Sequence, residues 1–308
     1  MTQERRVDVH PLRPGEEMLW LSVATAPDEI ALKRPSFTDL VGGEERLDRR
    51  CHLIAVAEGR AMGRLTGTFL NPKLYFVREI LSTEPGASAK VTAAFARYLI
   101  GSFRDDEVEL LSWEKPDLAE MNDAFIAAGF RTGRRKVFVE RSIEEFEPEE
   151  PSPFSYRRLA DVGESEFVRT MVRAAEGDPF EDAAARDPVT DFRELIEYAG
   201  DAFDPTSWRI AAVSGKVAGV VLPQRFPGPK NEGTLFYVGI VPEQRRRGLG
   251  RALHAAGLGF LSSAGVERYI GSTDDRNTPM IRIFEANGCR RKGIQLFLTA
   301  SPQDEPGT

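Results

Sequence analysis

Between Gln244 and Arg251 the chain carries four arginines, Arg245, Arg246, Arg247 and Arg251, and two glycines, Gly248 and Gly250. Guanidinium groups match phosphate oxygens in charge and in geometry. Glycine lets a backbone approach a ligand closely and take up positive φ. A helix beginning here adds unpaired N–H groups and the positive end of its dipole. Together these residues would hold a phosphorylated cofactor, and a pyrophosphate is the group that suits them. A dinucleotide fingerprint needs its glycines directly after a strand, whereas here they come late and Leu253 stands at the third glycine position. A P-loop needs G-K-S/T, which does not occur here.

Two elements must position this loop. Leu235, Phe236, Tyr237, Val238, Ile240 and Val241 form a nearly unbroken apolar run, as in a strand covered on both faces. Pro242 cannot donate to a ladder and should end it. After Gly248 the period changes. Leu249, Ala252, Leu253, Ala256, Gly257, Phe260 and Leu261 mark one face of a helix.

Composition bounds the rest. With 308 residues there is room for two domains, and a hydrophobic share of 41% beside 29% charged residues is that of a folded globular chain. No apolar run is long enough to span a bilayer, and the polar start MTQERRVDVH has no signal-peptide core. Cys51 and Cys289 make no disulfide framework. These features predict a cytoplasmic protein without a membrane partner. The three histidines are scattered, so no metal is expected, and a net charge of −7 argues against a nucleic-acid partner.

The chain also repeats itself. HLIAVAEGRAMG (residues 52–63) aligns without gaps on WRIAAVSGKVAG (208–219), so that Gly59 and Gly63 fall on Gly215 and Gly219. AEMNDAFIAAGFR (119–131) aligns on TPMIRIFEANGCR (278–290), each with a glycine where a helix ends, Gly129 and Gly288. Two copies of one domain follow, at 1–145 and 154–300. A proline- and acid-rich linker at 146–153 joins them, and a tail follows at 301–308. In the second copy, Asp161 is expected to cap a helix over 162–175. Further helices are expected at 189–199 and after Asn277, and a hairpin over 208–223. In the first copy, STEPGASAKVTAAF (82–95) replaces the arginine–glycine loop, so that copy should not hold pyrophosphate.

The run YVGIVPEQRRRGLG, with R-x-x-G-x-G at Arg245, Gly248 and Gly250, resembles the acetyl-CoA loop of the GNAT acyltransferase superfamily. The tandem arrangement and the later T-x-x-x-N-x-P-M (Thr273, Asn277, Pro279, Met280) resemble the tandem GNAT group that includes mycothiol synthases. The resemblance implies an α/β fold with a mixed sheet in two tandem domains, the first degenerate. It implies acetyl-CoA as co-substrate. The amides of Arg245, Arg246, Arg247, Gly248, Leu249, Gly250 and Arg251 would take its pyrophosphate. The main chain of Val238, Gly239, Ile240 and Val241 would bind pantetheine, with one N–H polarising the thioester carbonyl. Asn277 and Phe284 would border the cofactor.

The implied activity is N-acetyl transfer to the amine of a small molecule or peptide. The alternative is a non-catalytic CoA-binding or regulatory protein. Phe284 stands where many relatives carry a tyrosine acid, and Thr234 where related enzymes carry a glutamate. Glu232 is the candidate replacement base and Tyr237 the replacement acid. Glu181, Asp182, Asp274 and Asp275 would favour a cationic acceptor. A tandem repeat can serve as its own pseudo-dimer, which is compatible with a monomer.

Overall fold

The computed structural model describes residues 7–23, 49–71, 74–83, 88–144, 146, 152–180, 187–226 and 231–301. Most of the expected linker, all but residue 301 of the tail, and Glu181 and Asp182 lie outside the described residues. The chain forms two compact units, one from 1–135 with 294–308 and one from 136–293.

In the first unit, β1 (Asp8–Pro11), β2 (His52–Ala57), β3 (Arg60–Asn71) and β4 (Leu74–Ser82) pair antiparallel in sequence. β5 (Glu107–Trp113) joins β4 in parallel. Helices α1 (Glu17–Leu21), α2 (Ser88–Ser102) and α3 (Ala119–Ala127) complete the unit among the described residues. In the second unit, β7 (Ser155–Arg158), β8 (Arg209–Val213), β9 (Lys216–Arg225) and β10 (Glu232–Ile240) repeat the antiparallel order, and β11 (Arg268–Asp274) joins β10 in parallel. Its helices are α4 (Leu159–Val162), α5 (Glu164–Ala175), α6 (Pro188–Ala199), α7 (Leu249–Ser263) and α8 (Thr278–Ala286).

The strand that follows in each order comes from the other half of the sequence. Residues 136–142 of β6 (Arg131–Ser142) pair antiparallel with β11. Residues 295–300 of β12 (Arg290–Ala300) pair antiparallel with β5. The compact units therefore differ at their ends from a cut made at the linker.

The repeat seen in the sequence has a structural content. Glu58 and Gly59 both have positive φ, as do Ser214 and Gly215, so each pair makes the two-residue turn that matches strand twist. Both hairpins then break register at the same place, between Ala55 and Val56 and between Ala211 and Ala212. A Cβ on Gly63 would lie 2.7 Å from the Leu81 carbonyl oxygen, and one on Gly219 would lie 2.1 Å from that of Gly239. The matched glycines thus let β3 and β9 close on the ends of β4 and β10.

The second unit packs its sheet between two helical layers. Trp208, Phe167 and Phe192 centre a core in which α5 and α6 cover Ile210, Val220, Leu222 and Val241. α7 lies on the opposite face, where Gly257 brings it against Val221 and Leu235. The periodic face of α7 is buried at Leu249, Leu253, Ala256, Gly257 and Leu261, and His254 and Leu258 are buried with it. Asp161 does not cap α5. Its carboxylate pairs with Arg158, and Gly163 precedes α5 without a side-chain cap.

Candidate functional site

β10 does not stay in the sheet along its whole length. Its parallel register with β11 covers Glu232 and Gly233, and the two strands then part. On its other edge the ladder to β9 slips between Leu235 and Val238, where three steps on β10 span two on β9. This is a β-bulge. It lies beside Pro223, which has no N–H to give to the ladder. The run expected to be fully covered is instead half-buried from Phe236 to Ile240, because β11 has moved away from its edge.

The bulge also reverses which residues face which layer. Before it, Gly233 and Leu235 face α7, against Leu261 and Gly257. Within it, Phe236 and Tyr237 both pack on the α5–α6 core, and after it Val241 does so while Ile240 faces α7, near Gly250. The Tyr237 ring lies over Gly239, where an added Cβ would fall 2.8 Å from the hydroxyl oxygen. Val241 donates its N–H to Ala218 on β9 at 2.9 Å. By the alternation of an antiparallel ladder, the N–H groups of Val238 and Ile240 then point the other way, into the gap.

The loop stands at the open end of this gap. Arg246 has φ of +60° and Gly248 has +76°. Gly248 is the N-cap of α7 and offers no side chain to its first turn, so the amides there project with the helix dipole behind them. Gly250 lets α8 close in, since a Cβ there would meet Ile283 at 3.0 Å.

The arginines divide by direction. Arg246, Arg247 and Arg251 are exposed, with Arg247 bonded to the buried Gln244 side chain. Arg245 turns inward. Its Nε donates to the Ile240 carbonyl at 2.8 Å, and its Nη2 to the carbonyls of Ala174 and Glu176 at 3.0 and 2.7 Å. The charge density read as phosphate-matching thus belongs to three of the four side chains.

Of the other expected residues, Asn277 caps α8, its Oδ1 accepting from Met280 N at 3.1 Å. Phe284 is buried, with its ring edge-on to His254 at 5.4 Å. Glu232 sits where β10 and β11 are still joined, paired with Arg268. Asp274, at the end of β11, is held by Arg276 at 2.9 Å, and that bond keeps its carboxyl below the usual range. Among the described residues no cluster of His, Cys, Asp or Glu could hold a metal ion, and no helix is long and apolar enough to cross a membrane.

A polar group behind α7 was not singled out in the sequence. Asn287 donates to the Arg251 carbonyl at 3.1 Å and lies 2.9 Å from His254 Nδ1, while His254 Nε2 lies 3.2 Å from the Tyr269 hydroxyl. The amide can give its hydrogen to Nδ1, which leaves the proton on Nε2 and the ring neutral. Burial drives the His254 pKa down to about 3 and holds that of Tyr269 well above its ordinary value. The group ties the first turn of α7 to the end of α8 and to β11. Its signal was His254 itself, a histidine on an apolar helix face.

Residues 169–289 match the family model described as Acetyltransferase (GNAT) family. This part of the chain belongs to the GNAT acetyltransferase family. The mycothiol acetyltransferase of Thermobispora bispora is 36% identical over 99 residues, which is 31% of this chain and 34% of that protein. The aligned segment thus spans about a third of that relative. That of Actinosynnema mirum is 26% identical over 246 residues, covering 78% of this chain and 80% of that one. A solved tandem GNAT protein from the clavulanic acid biosynthesis pathway superposes over 98% of this chain and 100% of its own, with a TM-score of 0.58 at 17% identity. The overall fold is therefore a tandem GNAT fold, and the gap between β10 and β11, the bulge and the arginine–glycine loop all fall inside the matched GNAT segment.

Proposed function

We propose that the second unit is an N-acetyltransferase that takes its acetyl group from acetyl-CoA and passes it to an amine. One observation carries the reading: the edge of β10 that has parted from β11 runs directly up to the glycine-capped first turn of α7. A diphosphate suits the amides between Arg246 and Arg251, with the exposed guanidiniums of Arg246, Arg247 and Arg251 around it. A pantetheine arm is itself amide-bearing and suits the N–H groups of Val238 and Ile240 as a missing strand would. The thioester carbonyl then meets one of these N–H groups, which stabilises the oxyanion as the amine adds.

Proton transfer is assigned by distance and direction. Glu232 lies six residues from Val238, about 20 Å along an extended strand, and its carboxylate is engaged by Arg268. It receives no part in deprotonating the amine, which falls to water. Tyr237 is carried by the bulge to the main chain that would bind the thioester, and its hydroxyl is assigned to protonating the departing thiolate. With a free-thiol pKa of about 8.5 the demand on that acid is small. Phe284 cannot donate and is given a packing role.

The second reading, a CoA-binding protein without turnover, is favoured by the same Phe284 and by the engagement of Glu232. Calorimetry and thiol release separate the two. The transferase reading expects CoA binding that is lost in Gly248→Glu, which forces a bulky acid into a left-handed position at the phosphate site, together with amine-dependent release of thiol. The amine acceptor of the mycothiol acetyltransferases is the first to try. Binding without thiol release from any amine supports the second reading, and no binding removes both.

A further inference from the structure

Three observations concern the segment just after α5. Gly177 lies against Arg245, where an added Cβ would be 3.7 Å from Nη1. The Arg245 fork holds the carbonyls of Ala174 and Glu176, which are orphan acceptors at the end of α5. Three residues further on, the Phe180 ring lies under Arg276, with Cζ 5.5 Å from its centroid. Arg276 belongs to the loop between β11 and α8 and is itself held by Asp274. Residues 176–180 therefore run from the cofactor loop at the end of β10 to the loop at the end of β11, across the open end of the gap between these strands.

We infer that Arg245 is a positioning residue that couples the cofactor loop to this strap. Its guanidinium does not grasp phosphate. It fixes the Ile240 carbonyl on the strand edge and the end of α5 at the same time, so filling the loop would order the strap. This inference rests on the cofactor assignment above. Coupling of this kind is reciprocal in equilibrium terms: whatever steadies the strap also tightens the loop. Arginine is required because its rigid fork reaches three carbonyls from two nitrogens, Nε and Nη2, which a lysine ammonium cannot do.

The test is amide hydrogen exchange on the whole chain, wild type and Arg245→Lys, without and with CoA. In the unliganded protein Arg245→Lys should speed exchange within 174–180 by about tenfold or more, the least that the loss of one charge-assisted bond implies. The helix 249–263 should keep its protection. In the wild type, CoA should slow exchange within 174–180, and in Arg245→Lys, at a CoA concentration that calorimetry shows to saturate the variant, that response should vanish. Unchanged exchange at 174–180 in the unliganded variant overturns the inference, whatever CoA does. So does a wild-type strap that ignores bound CoA. Absence of CoA binding to the wild type overturns the cofactor assignment instead, and calorimetry reads it separately. If Arg245→Lys fails to fold, the wild-type response to CoA still decides.

Discussion

Adding one methyl group at Gly219, a residue with no assigned part in the cofactor site, should damage that site. A Cβ there would stand 2.1 Å from the Gly239 oxygen and 3.2 Å from Ile240 Cα. Carbon–oxygen contacts of this kind settle at about 3.3–3.6 Å, so the end of β10 must retreat by more than about 1 Å. The residues that move are those whose neighbours, Val238 and Ile240, present N–H groups to the gap. If both of those hydrogen bonds to the cofactor are lost, at about 0.5–1.5 kcal/mol each, CoA affinity falls between roughly 5- and 150-fold. The fold itself loses about 1–3 kcal/mol, as in other overpacked cores. Gly63→Ala is the matched control, since its Cβ would also be crowded, by Leu81 O and Val91 at 2.7 and 2.5 Å. It should lower the melting temperature similarly and leave CoA affinity within about threefold, a difference near the usual error of independent sites. Calorimetric titration of both variants with CoA, below their melting temperatures, is the assay. Equal loss of affinity in both, or no loss in Gly219→Ala, would refute the reasoning.

Other perturbations read other parts of the site. Arg246 holds φ of +60°, a conformation that costs a non-glycine residue about 1 kcal/mol or more. Arg246→Gly should therefore not lower the unliganded melting temperature, yet weaken CoA binding, with the larger loss at low salt. Tyr237→Phe keeps the ring over Gly239 and should leave CoA affinity unchanged while slowing amine-dependent thiol release by less than about 100-fold, the low end for general acids, because a thiolate makes little demand on its acid. Undiminished release would remove the assigned role. His254 is held neutral by burial with a folded pKa of about 3, below the roughly 6.5 of an unfolded histidine. The unfolded chain therefore binds the proton first as pH falls. The contribution is fully present above about pH 6.5 and is lost toward pH 3, with a ceiling of about 5 kcal/mol. Urea unfolding at pH 7 and pH 4.5 should show a smaller acid loss in His254→Gln than in the wild type, and parallel losses would reject that origin.

The sequence made some of this legible and not the rest, for physical reasons. The repeat, the hairpin turns at Glu58-Gly59 and Ser214-Gly215, and the start of α7 at Gly248 are local, and local chemistry prints them. That Gly63 and Gly219 serve one purpose was visible as a match, but the purpose, close approach to a carbonyl on the next strand, needed coordinates. The exchange of β6 and β12 was not legible, because RTGRRKVFVERS and RRKGIQLFLTA say only that each is a strand. The bulge was hidden because an apolar run reads the same whether or not its ladder slips, although Pro223 on the facing strand was a signal. Arg245 was grouped with its neighbours because charge alone does not show direction. It lies nearest the strand end, where the Ile240 carbonyl and the end of α5 both accept from it.

The two units separate what the fold provides from what the loop adds. β4 pairs in parallel with β5 over Leu74 to Val77, and the β3–β4 ladder slips between Glu79 and Val77. The first unit thus has the same bulge at the point where its parallel partner's register ends. It also has the crowded glycine, Gly63, beneath the end of β4. A parted strand edge is therefore a property of the architecture in both copies, enforced by one glycine and one slipped register, and cannot by itself select a cofactor. What the first unit lacks is the sequence from Arg245 to Arg251, with arginines around a glycine-capped helix start. Hydrogen bonding to an open edge is available to any extended amide-bearing chain, whereas a diphosphate must find positive charge and unpaired amides together. Discrimination for CoA on this reading resides in the loop. Grafting Arg245–Arg251 onto the start of α2 should then give the first unit measurable CoA affinity with no change to its strands, and a graft that folds without binding would show that the edge differs between the copies after all.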